Sequence, residues 1–276
     1  MRRALFKLAW ALSWPIRTYL RITPAHRGRG LVESVLVRLV LPLAPATFLT
    51  SSPGGGTIAL RYRERIGLST LVYGSFEAAE IEVLRRLARP GTTVVDAGAN
   101  VGVITVPLAL AVGTEGRVLA FEPSPATVEL LRENVLRNGL QNVTIVEAAL
   151  GDNRGVAALV LEDDSAYNSI AGAAPKGAGT EVPVERLDDV WNEAGRPEVS
   201  VVKVDVEGAE LEVLVGAVEL LRSCRPAVLV EAAEPTRAMA ATAFLRSHGY
   251  RLTPTPGTQP WNLLFLPDAA QTTASR

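Results

Sequence analysis

The stretch VVDAGANVGVITV, residues 94–106, decides the fold class of this chain. An apolar run carries Asp96 near its end, a loop with Gly98, Asn100 and Gly102 follows, and a helical pattern begins after the loop. A strand that leads into a helix through such a loop is typical of a doubly wound α/β sheet, whose ligands bind outside the carboxyl ends of the strands. The stretch therefore predicts the fold class and the place of a binding site together.

The chain on both sides of this stretch alternates between helical and strand patterns. Because most of the strand patterns are apolar at nearly every position, we predict a mostly parallel sheet covered on both faces. Ser75 is expected to cap the first helix and Pro107 to kink the second. We predict one doubly wound domain over residues 55–268, preceded by a basic and apolar lead, 1–50, and followed by a flexible tail, 269–276. The strand patterns lie at 92–99, 116–123, 142–150, 199–208, 226–234, 250–254 and 261–267, and the main helical patterns at 75–91, 101–113, 124–139, 209–223 and 236–248.

The composition excludes several classes of function. The chain has 28 basic and 29 acidic residues and a net charge of −1, which argues against a general nucleic-acid binder. Its single cysteine, Cys224, excludes an internal disulfide, and two histidines leave little material for a metal site. We therefore predict a cytoplasmic protein without nucleic acid as its partner and without a resident metal. The composition does not predict an oligomeric state.

The first 21 residues have the pattern of a helix that lies on a membrane surface. Arg3, Lys7, Trp10 and Trp14 follow one another at helical spacing, and cations beside tryptophans suit the headgroup region of anionic lipid. The alternative is a helix packed on the protein's own body. The next apolar run, residues 31–49, holds charges and prolines that break it before it reaches membrane-spanning length. We therefore expect peripheral association with the inner membrane surface rather than a membrane span.

The glycine loop and a second acid indicate a nucleoside cofactor. Gly98 and Gly102 bring the backbone close to a ligand, and Glu122 ends the next strand, where a carboxylate commonly accepts both hydroxyls of a ribose. The loop lacks the G-x-G-x-x-G pattern of proteins that bind nicotinamide dinucleotides, and Asp96 would repel a pyrophosphate. Asp96 suits the positive end of S-adenosylmethionine instead. The alternatives are a nicotinamide-dependent oxidoreductase, or a structural loop in which Asp96 caps the helix.

A second cluster, VVKVDVEGAELEVLVGA, residues 201–217, places two carboxylates at the end of a buried strand. Strand alternation puts Lys203, Asp205 and Glu207 on one face. Burying two carboxylates costs free energy, so we expect a catalytic task for them. The alternatives are that Glu207 caps the following helix and that Asp205 pairs with Lys203. A metal held by Asp205 with Glu207 or Glu231 is a further possibility that the sequence does not favour.

Taken together, these segments resemble the FkbM family of S-adenosylmethionine-dependent methyltransferases. The resemblance implies a Rossmann-like class I methyltransferase fold, with a seven-stranded sheet whose last strand is antiparallel. It covers about residues 70–266. It rests on VVDAGANVGVIT (94–105), AFEPSPATVELLRENVLRNG (120–139), AALGD (148–152), LDDV (187–190) and the second cluster (201–217).

The resemblance also implies roles for single residues. The cofactor would be held at its methionine end by Asp96, Gly98 and Asn100, at its ribose by Glu122, and at its adenine by Ala148 or Ala149 with Asp152. Asp205 would sit beside the transferred methyl group and act as general base, with Glu207 as the second candidate. The acceptor would be a hydroxyl of a sugar, a glycolipid, a polysaccharide or a natural product. A catalytically silent cofactor-binding subunit is the alternative.

The loop DDSAYNSIAGAAPKGAG, residues 163–179, is a candidate cover for the acceptor. Tyr167, Asn168 and Ser169 would supply hydrogen bonds there. The alternative is an exposed turn without a function.

Overall fold

The computed structural model describes residues 11, 14–22, 46–160, 169–170, 180–255 and 257–268. No helix within these residues is long and apolar enough to cross a membrane. The helices are α1 (Trp14–Ile22), α2 (Arg65–Tyr73), α3 (Ala78–Leu87), α4 (Thr105–Val112), α5 (Pro125–Arg137), α6 (Leu187–Glu193), α7 (Glu210–Val215), α8 (Val218–Cys224) and α9 (Pro235–Ser247). The strands are β1 (Thr47–Ser51), β2 (Thr57–Arg61), β3 (Thr93–Ala97), β4 (Arg117–Phe121), β5 (Val143–Val146), β6 (Ala149–Gly151), β7 (Gly155–Val160), β8 (Ser169–Ile170), β9 (Thr180–Arg186), β10 (Val199–Val204), β11 (Ala227–Glu231), β12 (Tyr250–Thr253) and β13 (Asn262–Pro267).

Seven of the strands form the central sheet, in the order β12-β13-β11-β10-β3-β4-β5. Strands β11, β10, β3, β4 and β5 pair in parallel, and β13, the last strand of the chain, is antiparallel to both of its neighbours. This confirms the predicted fold class, including the antiparallel last strand. The order reverses between β3 and β10, so the loops after these two strands lie at the switch point where doubly wound sheets bind ligands.

The alternation of side chains along the inner strands builds two cores. Val94 and Val201 face one side of the sheet, against α3, α4 and α5, whereas Val95 and Val202 face the other, against α6, α7, α8 and α9. All four valines are at most 1% exposed. Strands buried on both faces have no room for polar side chains except at their ends, which is why the polar groups of the central strands gather at the carboxyl edge.

Two helices differ from the sequence prediction. The pattern at 209–223 forms two short helices, α7 and α8, because the helix is interrupted at Gly216. A Cβ at Gly216 would lie 2.2 Å from the backbone oxygen of Gly151. Pro107 does not kink a helix, because α4 begins only at Thr105 and Pro107 therefore lies in its first turn, where a missing N–H costs no hydrogen bond.

The segment between the predicted lead and the predicted domain is part of a β-hairpin. β1 and β2 pair antiparallel in a two-stranded sheet of their own, with residues 52–56 between them. β2 then packs on α5, where Asn134 accepts a hydrogen bond from the Ala59 amide at 2.7 Å. The predicted boundary between lead and domain therefore cuts through a hairpin that is attached to the domain.

A small second sheet lies beside the carboxyl edge of the central one. Its order is β6-β9-β7-β8, and β7 and β9 pair antiparallel. Most of the loop 163–179, with Tyr167 and Asn168, lies outside the described residues, and Ser169 begins the short strand β8.

Candidate functional site

An open pocket lies at the switch point, beyond the carboxyl ends of β3, β4, β10 and β11. The wall formed by the sheet ends and the small sheet is lined by Ala97, Gly98, Ala99, Asn100, Val103, Ile104, Phe121, Glu122, Pro123, Ala148, Ala149, Leu150, Leu159, Lys203, Asp205, Val206, Glu207, Ala209 and Glu231. The opposite wall is formed upstream of β3 by Arg65, Ile66, Phe76 and Glu77.

The two glycines of the loop are required by the protein's own packing. Gly98 has φ +81°, and a Cβ there would lie 1.7 Å from the backbone oxygen of Asp205. Gly102 has φ +90°, and its Cβ would meet Leu131 Cδ1 at 2.8 Å. Gly98 lines the pocket, but Gly102 does not. The structure gives Gly102 a packing role, since it allows the loop to pack on α5, and its contact with a cofactor stays a prediction.

Asp96 lies beneath the pocket rather than in its wall. Its side chain is fully buried, and Oδ2 accepts a 2.6 Å hydrogen bond from the hydroxyl of Thr105, the first residue of α4. Its Oδ1 lies 3.4 Å from Lys203 Nζ. Asp96 is not among the residues that line the pocket, and its contact with the methionine end of a cofactor stays a prediction. The carboxylate instead anchors the start of α4 and balances a buried cation.

Glu122 and Asn100 form the best organised part of the pocket wall. The Glu122 carboxylate accepts hydrogen bonds from the amides of Asn100 (3.0 Å) and Ser124 (2.9 Å). Burial raises the pKa of Glu122 to about 7, although both amide donors act in the opposite direction. Each carboxylate oxygen keeps a free lone pair toward the pocket. Glu122 can therefore accept two hydrogen bonds from a ligand's hydroxyls.

The predicted adenine end is only partly formed as expected. Ala148 and Ala149 line the pocket, together with the apolar side chains of Leu150 and Leu159. Asp152 is exposed in the turn after β6 and is not part of the wall. The contact of Asp152 with the adenine stays a prediction, which its place in the turn after β6 does not support.

Asp205 and Glu207 both reach the pocket from the end of β10. Asp205 Oδ2 lies 3.0 Å from Lys203 Nζ, so the pair considered from the sequence is present. Glu207 does not cap the next helix: the cap position of α7 is Ala209, and the Gly208 amide donates to Glu210. Burial and the charges of Asp205 and Glu210 raise the pKa of Glu207 to about 7.

Glu77 and Glu231 lie in the pocket with Asp205 and Glu207, and the four carboxylates form an acidic face. Oxygens of Glu77, Asp205 and Glu231 lie within 4.8 Å of one another. Burial, followed by the charge of Asp205, raises the pKa of Glu77 to about 8 and that of Glu231 to about 7. The spacing is short enough to hold a cation, and Lys203 already supplies one positive charge at Asp205. The sequence pattern indicates Glu231 as a carboxylate of this pocket but does not indicate Glu77.

The backbone is strained at three positions of the wall. Among the described residues, five that are not glycine have a left-handed backbone, and Glu77 (φ 51°), Asn100 (φ 47°) and Glu207 (φ 50°) are three of them. Asparagine tolerates this conformation, but glutamate rarely adopts it. Such strain clusters at functional sites, because the surrounding structure must hold the residues in place.

The buried acid of the LDDV segment, by contrast, is structural. Asp188 is fully buried, accepts hydrogen bonds from the amides of Glu219 (3.0 Å) and Leu220 (2.9 Å), and pairs with Arg186. It caps the start of α8 and is not among the residues that line the pocket.

The chain is similar to known methyltransferases over more than half of its length. Residues 96–252 match the profile of the family described as Methyltransferase FkbM domain. Methyltransferase sdnD of Sordaria araneosa is 31% identical over 52% of this chain and 67% of that protein. The 31-O-demethyl-FK506 methyltransferase FkbM of Streptomyces tacrolimicus is 27% identical over 59% of this chain and 74% of that protein.

Two further similarities extend this comparison. Hexuronic acid methyltransferase AglP of Haloferax volcanii is 31% identical over 52% of this chain and 57% of that protein. The chain thus spans 57% to 74% of the length of these three relatives. Among solved structures, the methyltransferase FkbM of Methylobacillus flagellatus KT is matched with a TM-score of 0.49 at 18% identity, over 92% of this chain and 58% of that one.

Proposed function

Since this chain belongs to the FkbM family of S-adenosylmethionine-dependent methyltransferases, we propose that it transfers the methyl group to a hydroxyl oxygen of a small molecule or glycan. The observation that carries the proposal is the acidic face of Glu77, Asp205, Glu207 and Glu231, which lies in the pocket beside the glycine loop, residues 98–102. Family membership favours methyl transfer over the nicotinamide-dependent reaction that the glycine loop left open.

The pocket residues fit S-adenosylmethionine. Glu122 offers two acceptor sites to the ribose hydroxyls. Ala148 and Ala149 leave space for a flat ring, and Leu150 and Leu159 supply apolar surface for it. The carboxylates at the other end of the pocket attract the positive charges of the sulfonium and the ammonium.

Asp205 is the residue best placed to act as general base. When bound, S-adenosylmethionine supplies a methyl group on a sulfonium, whose electron pair returns to sulfur as the carbon–oxygen bond forms. A hydroxyl is a weak nucleophile at neutral pH, so a carboxylate that takes its proton assists the attack. Lys203 Nζ lies 3.0 Å from Asp205 Oδ2 and so fixes the position of this carboxylate in the pocket.

The chemistry of the acidic face supports an acceptor with several hydroxyls. Carboxylates accept hydrogen bonds and donate none while they are ionised, and hydroxyl groups are natural donors to them. Arg65 adds one cation to the opposite wall and stacks near Phe76, with its guanidinium carbon 5.9 Å from the ring centre. Sugars, glycolipids, polysaccharides and oxygenated natural products all meet this description. The name of the Streptomyces relative places its methyl group on an oxygen.

Isothermal titration with S-adenosylhomocysteine tests the cofactor assignment through Glu122. Glu122→Gln removes the charge and one acceptor site, so we expect its affinity to fall by about 10- to 100-fold. Glu129→Gln, an exposed position on α5, is the matched control and should bind like the wild type. NADH should not bind. Unchanged affinity in Glu122→Gln would contradict the assignment of the ribose to this site.

The affinity for S-adenosylhomocysteine that this titration measures is expected to depend on pH. Burial raises the pKa of Glu122 to about 7, and ribose hydroxyls form stronger hydrogen bonds to the ionised carboxylate than to its neutral form, so affinity should weaken as the pH falls from 8 to 6. The change should be smaller in Glu122→Gln, where only the other pocket carboxylates still titrate. Parallel pH curves for the two proteins would contradict the assignment.

We also propose that the amino-terminal lead holds the protein at an anionic membrane surface, near its acceptor. Trp14 is 64% exposed and Tyr19 is 38% exposed on α1, and α1 lies beside α2, which begins at Arg65 of the pocket wall. An exposed tryptophan next to cations suits the headgroup region. This position would bring the pocket close to a lipid-linked acceptor.

Co-sedimentation with vesicles tests this membrane proposal. The full chain should bind vesicles that contain phosphatidylglycerol and leave those of pure phosphatidylcholine unbound. Deleting residues 1–21 should abolish binding, and Trp14→Ala should weaken it severalfold. Leu136→Ala, which shortens an equally exposed apolar side chain on α5, is the control. Full binding after the deletion would contradict the proposal.

A further inference from the structure

Lys203 is a buried cation at the centre of the pocket floor. The residue is 5% exposed and lies on β10, two positions before Asp205. Its Nζ donates to the backbone oxygen of Gly98 at 2.9 Å, and lies 3.0 Å from Asp205 Oδ2 and 3.4 Å from Asp96 Oδ1. These three partners come from the cofactor loop, the end of β10 and the end of β3. One ammonium therefore joins three separate parts of the site.

The choice of lysine fits this geometry. The chain has 28 basic residues, yet lysine occurs only at positions 7, 176 and 203. An ammonium is a compact point charge with three donors that can point to three acceptors around it, whereas a guanidinium is planar and presents a fixed fork. Around Lys203, the Gly98 carbonyl and Asp205 Oδ2 lie at hydrogen-bond distance and Asp96 Oδ1 lies at 3.4 Å, and a compact ammonium fits these three oxygens.

We infer that Lys203 is a positioning residue that connects the glycine loop, residues 98–102, to the end of β10. Its one buried ammonium holds the Gly98 carbonyl, Asp96 and Asp205 around it. This inference rests on the proposed function, since it concerns the same pocket. Burial disfavours the ammonium, but the charges of Asp205, Asp96 and Glu77 outweigh it and raise the pKa of Lys203 above its usual value. Lys203 therefore stays charged whenever the site is in use.

Cofactor affinity should depend on this cation although Lys203 is not the residue that accepts the ribose. Lys203→Met keeps the length of the side chain and removes the charge. Without the ammonium, the Gly98 carbonyl loses its donor, and Asp96 and Asp205 repel each other across the loop. We expect S-adenosylhomocysteine to bind about 10- to 100-fold more weakly, because a hydrogen bond to a charged group is lost. Arg89→Met, which breaks an exposed ion pair with Glu198, is the matched control.

A pH series separates this electrostatic role from simple packing, and needs no ligand. The carboxylates that face Lys203 are Asp96, Asp205, Glu77, Glu122, Glu207 and Glu231. The pKa of Glu77 is raised to about 8 and those of Glu122, Glu207 and Glu231 to about 7, so these four groups take up protons as the pH falls, and the negative charge around the ammonium decreases. The difference in melting temperature between wild type and Lys203→Met should therefore shrink by roughly half or more between pH 8 and pH 5. A packing role would give a constant difference.

Lys203→Arg keeps the inference testable if Lys203→Met does not fold. It preserves the charge, so it should fold, but its planar group cannot meet all three acceptors and its affinity for S-adenosylhomocysteine should still fall about tenfold. Wild-type affinity in either variant, or a melting difference that ignores pH, would overturn the inference. If the wild type itself fails to bind S-adenosylhomocysteine, the proposed function falls instead, and the pH series still decides the role of Lys203.

Discussion

Replacing Asp205 with asparagine is expected to lower the rate of methyl transfer by about 10²- to 10⁴-fold, the usual contribution of general-base catalysis. The amide keeps the size of the side chain but cannot take the acceptor's proton. Lys203 keeps Asp96 and the Gly98 carbonyl as partners in this variant, so the fold and the affinity for S-adenosylhomocysteine should change little. The measurement is formation of S-adenosylhomocysteine with a panel of hydroxylated acceptors, beside titration of the product.

Two companion variants make the result for Asp205 specific. Asp152→Asn changes an exposed acid outside the pocket and should keep full activity. Glu207→Gln tests the second candidate base, and a larger loss there than in Asp205→Asn would exchange the two roles. Full activity of Asp205→Asn would mean that alignment alone drives the transfer. Inactivity of the wild type with every acceptor, despite tight cofactor binding, would favour the silent cofactor-binding subunit.

Gly98→Ala is expected to be the most damaging small substitution in the pocket. The new Cβ would lie 1.7 Å from the backbone oxygen of Asp205, and neither backbone can move without breaking the pairing of β3 with β10. Together with a left-handed backbone, this should reduce the free energy of unfolding by more than about 4 kcal/mol. Thermal and denaturant unfolding measure this loss, and any folded fraction should fail to bind S-adenosylhomocysteine.

Gly139→Ala is the matched control for this substitution. Gly139 has φ +65°, also left-handed, but nothing lies within 4 Å of the place where its Cβ would be. Its substitution should cost only about 1–2 kcal/mol of conformational strain. The difference between the two variants isolates the contact between the loop and β10. Equal losses in Gly98→Ala and Gly139→Ala would show that this contact does not constrain the loop.

The sequence predicts the central sheet and two of the acids at its carboxyl edge, for a physical reason. Strands buried on both faces are apolar throughout, so an acid at the end of such a strand stands out. Glu122 and Asp205 were found in this way, and both line the pocket. Asp96 has the same signal but lies one layer deeper, because its partner Thr105 and the cation of Lys203 draw it beneath the loop.

The opposite wall could not be predicted from local pattern. Glu77 comes before an ordinary amphipathic helix, and its meeting with Asp205 depends on how α3 packs against the sheet. Ser75 has the better capping side chain, yet α3 begins at Ala78 with Glu77 at the cap position. The Glu77 backbone is left-handed and its side chain makes no cap hydrogen bond, since it points to the pocket instead. A capping rule reads only neighbours along the chain.

The division of the pocket between two parts of the chain has a consequence for protein engineering. The family profile begins at residue 96, whereas Arg65, Phe76 and Glu77 precede it. Under the proposed function, exchanging residues 47–87 between relatives as one cassette would leave the residues assigned to the nucleoside intact. Chimeras built at this junction are then expected to keep the methyl donor and to change the acceptor, which methyl-transfer assays with a panel of hydroxylated compounds would measure.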